Sequence, residues 1–156
     1  MIKILFICHG NICRSPMAEF VFRKMAAEAG LSDRFSVGSA ATTDEEIWNG
    51  RGNPVYPPVA RLLREHGMDS GGKRATLLRP EDYGRYDCFI GMDEENRRDM
   101  ERIFRGDPEG KCSLLMDYTK KPRPVADPWY TRDFQKTWDD LDEGCRGLLA
   151  FFMKSF

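Results

Sequence analysis

The chain has 156 residues, 41% of them hydrophobic, with a formal net charge of −1 and two histidines, which bounds it to one domain able to bury a layered core. That charge balance leaves no broad basic surface for nucleic acid, five unevenly spaced cysteines form neither a disulfide framework nor paired zinc ligands, and no apolar run suffices for a signal peptide or a bilayer span. The expectation is a soluble, cytoplasmic single domain over residues 1–156 with no metal and no cofactor.

Ile2 to Ile7 is a short apolar run rich in isoleucine and predicts a first strand. Pro16 to Ala29 places Met17, Phe20, Val21, Met25 and Ala29 at helical spacing, with Gly30 closing the helix. Phe35 to Ser39 predicts a second strand, and Thr42 to Pro58 is a long polar connection rich in Gly and Pro. Val59 to His66 is helical and stops at Gly67; Tyr86 to Met92 is a third strand; Asp93 caps a helix that runs to about Phe104. Cys112 to Met116 is a fourth strand, Lys120 to Asp133 a proline-punctuated loop, and Phe134 to Met153 a terminal helix with Trp138, Leu141, Cys145, Leu148, Leu149 and Phe152 toward the core. Strands alternating with helices imply an α/β fold: a three-layer doubly wound sheet of four parallel strands, flavodoxin-like or Rossmann-like, with its ligand at the carboxyl ends of the strands where the winding reverses. Arg97, Arg98, Arg102 and Arg105, interleaved with Glu94, Glu95, Asp99 and Glu101, are most simply a solvated helix face.

The stretch Cys8-His9-Gly10-Asn11-Ile12-Cys13-Arg14-Ser15 puts a thiol and a guanidinium at the two ends of one loop between the first strand and the first helix. Backbone amides converging at a helix N-terminus favour a bound phosphate, and the same field favours the thiolate of Cys8. Cysteine and arginine at this spacing are weak evidence alone, since about half an instance is expected by chance in such a chain. The context is what makes the pattern informative. Gly10 permits a turn, Asn11 tolerates a left-handed backbone, and Ser15 offers a hydroxyl to the Cys8 sulfur. A buried Cys8 that merely ended a core strand would leave Arg14 without a role.

A thiolate attacks a phosphate ester in line when loop amides and a bidentate Arg14 hold the non-bridging oxygens, giving a phosphocysteine. The leaving group then needs a proton, and the same acid must later activate water. Asp127, in Val125-Ala126-Asp127-Pro128-Trp129-Tyr130, follows the fourth strand in a stiff loop where Pro128 holds it extended. On physics alone a plain Asp-Pro turn is the simpler reading of that residue, and it is the resemblance below that favours the catalytic one.

Together these residues resemble the low-molecular-weight protein tyrosine phosphatases. The resemblance spans essentially the whole chain: Cys8 to Pro16, Ser39-Ala40-Ala41-Thr42, Gly91-Met92-Asp93-Glu94-Glu95-Asn96, and the Asp-Pro-aromatic-Tyr motif at Asp127 to Tyr130. It implies Cys8 as nucleophile, Arg14 as phosphate and transition-state ligand, and Asp127 as general acid and then base. It further implies a phosphate-binding loop of His9, Gly10, Asn11, Ile12, Cys13 and Ser15, and a supporting network of Asn11, Ser15 and Ser39. By the same resemblance Cys13 forms a reversible disulfide that protects Cys8 from over-oxidation; a small apolar residue packed under the loop would look the same. Trp48 and Trp129, with Tyr130 as wall or surface, would flank an aryl leaving group, favouring phosphotyrosine over phosphoserine.

The chain departs from the family in places. Ile12 stands where phosphoarginine phosphatases of the family carry Thr, which favours phosphotyrosine. Lys73-Arg74-Ala75-Thr76 lacks the family's His, so a supporting hydrogen bond is replaced or missing. The loop from Thr42 to Tyr56 is long and carries Asp44, Glu45 and Glu46, an acidic rim that disfavours strongly acidic phosphopeptides. His9 reads as a surface specificity residue rather than a base. The rival activities are arsenate reduction on the same scaffold, which needs further thiols to relay a disulfide, and a non-catalytic phosphotyrosine-binding module or thiol redox sensor, neither of which needs Asp127. The expected partner is a phosphotyrosine-containing protein, with no nucleic acid and no membrane. The expected state is a monomer, with weak self-association through exposed aromatics left open.

Overall fold

In the computed structural model, which describes residues 1–156, four strands form one parallel sheet, in the order Phe35–Ala41, Ile2–Cys8, Cys88–Gly91, Cys112–Leu114. β1 (Ile2–Cys8) is central because nearly every residue in it is apolar, and burial on both faces is what an inner parallel strand requires. Its alternation divides the core. Ile4, Phe6 and Cys8 face a large cluster with Phe22, Leu115 and Leu141, while Leu5 and Ile7 face a smaller one with Phe89 and Met100. β2 (Phe35–Ala41) pairs with one edge of β1 along its full length, and β5 (Cys88–Gly91) pairs with the other before passing the sheet to β6 (Cys112–Leu114).

Helices α1 (Arg14–Glu28), α2 (Pro57–Glu65) and α5 (Phe134–Met153) supply the larger cluster, and α3 (Glu94–Phe104) covers the opposite face, giving the three expected layers. Successive crossovers run outward from β1 first to β2 and then to β5. The reversal of winding therefore lies between β1 and β5, and the loops after these two strands share one crevice.

Most expected elements recur with shifted ends. α1 begins at Arg14 rather than Pro16 because the Cys8 loop winds straight into it. β2 extends to Ala41, held by the Thr76 carbonyl accepting from the Ala41 amide. The third strand starts at Cys88, since Asp87 is spent on Lys3, its amide donating to the Lys3 carbonyl and its carboxylate accepting from the Lys3 amide. The fourth strand ends at Leu114, where the chain tightens into a 3-10 turn, Leu115–Tyr118, stitched by Asp117.

Two expected loops contain structure. The Thr42 to Pro58 connection holds a hairpin of β3 (Ile47–Trp48) and β4 (Arg51–Gly52), and its last residues open α2, with Pro57 in the first turn where no amide donor is needed. The proline-punctuated loop holds a single turn, α4 (Pro128–Thr131), capped by Asp127. α5 spans the expected residues. It lies so close to the Leu115–Tyr118 turn that a Cβ at Gly147 would overlap the Tyr118 carbonyl.

Candidate active site

Cys8 ends β1 with its sulfur facing the loop it begins: the Asn11 amide donates to it at 3.3 Å and it shares a hydrogen bond with the Ser15 hydroxyl at 3.0 Å. The left-handed turn falls on Asn11, at φ 61°, rather than on Gly10. Gly10 instead keeps the loop close to the Glu46 side chain, where a Cβ would stand 3.3 Å from Glu46 Cγ. An asparagine tolerates the left-handed backbone, and here its side chain is fully engaged. Its Nδ2 donates to Ser15 Oγ at 2.7 Å and to Ser39 Oγ at 3.0 Å, while Oδ1 accepts from the Thr76 amide at 3.0 Å.

Arg14, at the start of α1, is only 4% exposed. Its Nη1 donates to Asp93 Oδ2 at 2.9 Å and to the Val125 carbonyl at 3.2 Å, and its Nη2 lies 3.5 Å from Asp127 Oδ2. Burial opposes its charge, but Cys8, Asp93 and Asp127 outweigh burial and raise its pKa above the ordinary arginine value. The guanidinium is therefore a fixed cation held between Asp93, the Val125 carbonyl and Asp127. Asp127 Oδ1 accepts from the Trp129 amide at 3.0 Å, so the same carboxylate caps α4 and points its other oxygen toward Arg14.

These groups line a cleft of about 580 Å³ at the carboxyl ends of β1 and β5. Its floor is the stretch from Cys8 to Arg14, with Asn11, Ile12 and Cys13 among the lining residues. One wall is Trp129 with Tyr130, which are 50% and 83% exposed; the other is acidic, formed by Glu45, Glu46 and Glu95. Trp48 is not in the wall: it sits on β3, 72% exposed and outside the cleft. The family resemblance placed it there, as the aromatic of the family's variable loop, and the two-residue hairpin sends it elsewhere. His9 lies at the rim, its Nε2 2.9 Å from Glu45 Oε2 and its Nδ1 3.8 Å from Glu95 Oε1. His9, Glu95 and Asp99 bring possible metal-ligand atoms within 4.8 Å of one another, as an exposed acidic rim with one histidine will do.

Several contributors escaped the sequence reading. Asp93 is the helix cap it was expected to be, its Oδ1 accepting from the Asn96 amide, but its other oxygen holds Arg14. Tyr56 braces the far wall, its ring 5.6 Å from Trp129 and its amide donating to the Ile12 carbonyl. Glu19 and Lys73 lie behind the loop, where Glu19 accepts from the Ser39 hydroxyl at 2.6 Å and Lys73 donates to the Ser39 carbonyl at 2.9 Å. Asp93 had a signal in its place after an expected strand, and Lys73 stood in the stretch already marked by the missing family histidine; Glu19 and Tyr56 had none.

A sequence model described as low molecular weight phosphotyrosine protein phosphatase matches residues 3–155. The chain belongs to this family. A cysteine nucleophile carried in a phosphate-binding loop is a feature of the low-molecular-weight phosphatases. The chain is 35% identical over 156 residues to the low molecular weight protein-tyrosine-phosphatase YfkJ of Bacillus subtilis, covering 99% of this chain and 97% of that one. It is 35% identical over 152 residues to the low molecular weight phosphotyrosine protein phosphatase of Homo sapiens, covering 94% and 93%. The crystal structure of YfkJ superposes with a TM-score of 0.92 at 34% identity, covering 99% of this chain and 96% of that chain. That of the low molecular weight protein tyrosine phosphatase from Streptococcus pyogenes superposes with a TM-score of 0.83 at 32% identity, covering 96% and 92%.

Proposed function

We propose that the chain hydrolyses phosphotyrosine monoesters in proteins, with Cys8 as nucleophile, Arg14 as phosphate ligand and Asp127 as general acid and base. The observation that carries this reading is the convergence, in one cleft, of a sulfur hydrogen-bonded to the Asn11 amide and the Ser15 hydroxyl, a buried guanidinium and a carboxylate on a separate loop. The Cys8 thiolate attacks phosphorus in line while the loop amides and the free donors of Arg14 bind the non-bridging oxygens. The P–O bond breaks as Asp127 gives its proton to the tyrosine oxygen. Asp127 then takes a proton from water, the resulting hydroxide attacks the phosphocysteine, and inorganic phosphate leaves with return of the thiolate.

Trp129 and Tyr130 suit an aryl leaving group, which stacks on an aromatic wall where a short alkyl group gains little. Cys13 acts as a resolving thiol. Peroxide converts Cys8 to a sulfenic acid, the Cys13 sulfur displaces hydroxide from it to form the disulfide, and an external thiol later reduces the bond. Cys88 and Cys112 lie on β5 and β6 and neither lines the cleft, so no third thiol stands beside Cys8 and Cys13 for the sulfur relay that arsenate reduction needs. No helix is long and apolar enough to cross a membrane, and all five cysteines are free.

Hydrolysis of an aryl phosphate by the wild type and by Cys8→Ser and Asp127→Asn tests the assignment. Turnover should vanish in the first variant and fall about 10²-fold or more in the second, and wild type should cleave phosphotyrosine but not phosphoserine peptides. A wild type inert toward every ester under reducing conditions would refute it.

A further inference from the structure

Tyr56 joins three parts of the site without touching the substrate's place in it. It precedes α2 with ψ at 132°, the extended value that a following proline, here Pro57, imposes. Its amide donates to the Ile12 carbonyl at 3.0 Å, and its carbonyl accepts from the Val59 and Ala60 amides at 2.9 and 3.0 Å. The backbone is thus pinned to the floor of the cleft on one side and to the first turn of α2 on the other, so the ring leaves from a fixed point.

That ring stands outside the cleft, behind the wall that Trp129 makes. It meets the Trp129 ring at a centroid separation of 5.6 Å with the planes 62° apart, and it stacks on Phe134, the first residue of α5, at 6.2 Å and 26°. Edge-on and offset contacts of this kind are the ones that ring quadrupoles favour. The Arg132 guanidinium also lies over the Trp129 ring, 5.6 Å from its centroid. Trp129 is 50% exposed and projects from α4, a single turn of four residues, so neighbouring side chains must hold its plane. Turning the indole about its side-chain bonds would break the Tyr56 contact.

We infer that Tyr56 is a specificity-determining positioning residue: packed against Trp129, it fixes the aromatic wall relative to the phosphate-binding floor, so an aryl leaving group meets a stacking surface already formed. An alkyl ester gains little from that wall, so the effect belongs to one class of substrate. The inference rests on the reading of the Cys8 loop as a phosphate site and of Trp129 as its wall.

The test compares Tyr56→Ala, Tyr56→Leu and Tyr56→Phe with wild type, reading calorimetric affinities for phenylphosphonate and methylphosphonate, kcat and KM for an aryl phosphate, and Tm. Tyr56→Ala and Tyr56→Leu should weaken phenylphosphonate about three- to tenfold and raise the aryl phosphate KM by the same factor, with little change in kcat or in methylphosphonate binding. Tyr56→Phe, which keeps the ring, should behave as wild type. Tyr56→Leu, which keeps apolar bulk against Phe134, serves should the alanine variant not fold. In a Trp129→Ala background Tyr56→Leu should add nothing, because the two residues act as one unit. A phenylphosphonate-to-methylphosphonate affinity ratio unchanged in folded Tyr56→Leu, or an effect undiminished without the Trp129 indole, would overturn the inference. Phosphonate binding needs no turnover: a wild type that binds phenylphosphonate but hydrolyses no ester refutes the phosphatase reading, whereas an unchanged ratio refutes the role of Tyr56.

Discussion

At Cys13, burial in the floor of the cleft, reinforced by the nearby Cys8 and Asp127 charges, pushes the thiol up to about 12. It is therefore protonated at neutral pH and does not compete with Cys8 for phosphate esters; its use is to attack a Cys8 that has already been oxidised. After brief peroxide treatment, dithiothreitol should restore most wild-type activity, and the recoverable fraction in Cys13→Ala should be smaller by roughly threefold or more. Equal recovery would make Cys13 a packing residue only. The residues around the sulfur were legible because they crowd into one short stretch whose types have few other uses together: a cysteine, an asparagine able to turn left-handed, an arginine and a serine. Trp48 was not, because exposure on a two-residue hairpin has no periodic signature. Glu19 was not either. A glutamate inside a helix is ordinary in sequence, and only tertiary packing buries this one.

The acid loop between the Leu115–Tyr118 turn and α5 is held from the helix side. Asp140 accepts from the Ala126 amide at 3.0 Å, and the Thr137 hydroxyl donates to the Ala126 carbonyl at 2.7 Å, so both polar groups of the residue before Asp127 are tied to α5. Burial pushes the Asp140 carboxyl up, but hydrogen bonds from Ala126, Lys136 and Arg123 outweigh it and hold the pKa below the ordinary aspartate value. A carboxyl depressed in this way adds stability above its unfolded value, near pH 3.9, and gives it up as pH falls through the lower folded value. Asp140→Asn should cost about 2 kcal/mol at pH 7, and the difference from wild type in urea unfolding should narrow as pH falls below about 4. Its kcat should also drop, because the loop carrying Asp127 loosens. A constant difference across that range would show that the ionised carboxylate is not what ties the loop. The long apolar periodicity of α5 made its limits readable from Phe134 to Met153. The single turn of α4 was hidden by prolines that signal a loop, although Pro128 in a first helical position is compatible with either.

For the molecule as a whole, a net charge of −1 conceals an uneven surface. Glu45, Glu46, Asp93, Glu95 and Asp127 all line the cleft, against Arg14 and His9. A phosphopeptide must cross this rim, so residues flanking its phosphotyrosine meet negative potential. Peptides with flanking Lys or Arg should be cleaved with about tenfold higher kcat/KM than those with Asp or Glu at low ionic strength, and the gap should close in roughly 0.5 M salt. A preference that is absent or salt-independent would mean that the rim does not select. The sheet was legible at this scale because four apolar runs alternate with helices, and a crossover to each side of β1 is the common way to bury them. The resulting site joins distant parts of the chain. Cys8 and Arg14 precede Asp127 and the residues that tie its loop, Thr137 and Asp140, by more than a hundred residues. During translation the phosphate-binding stretch is therefore made well before the proton donor, and turnover must wait until α5 has been made and has docked on the loop that carries Asp127.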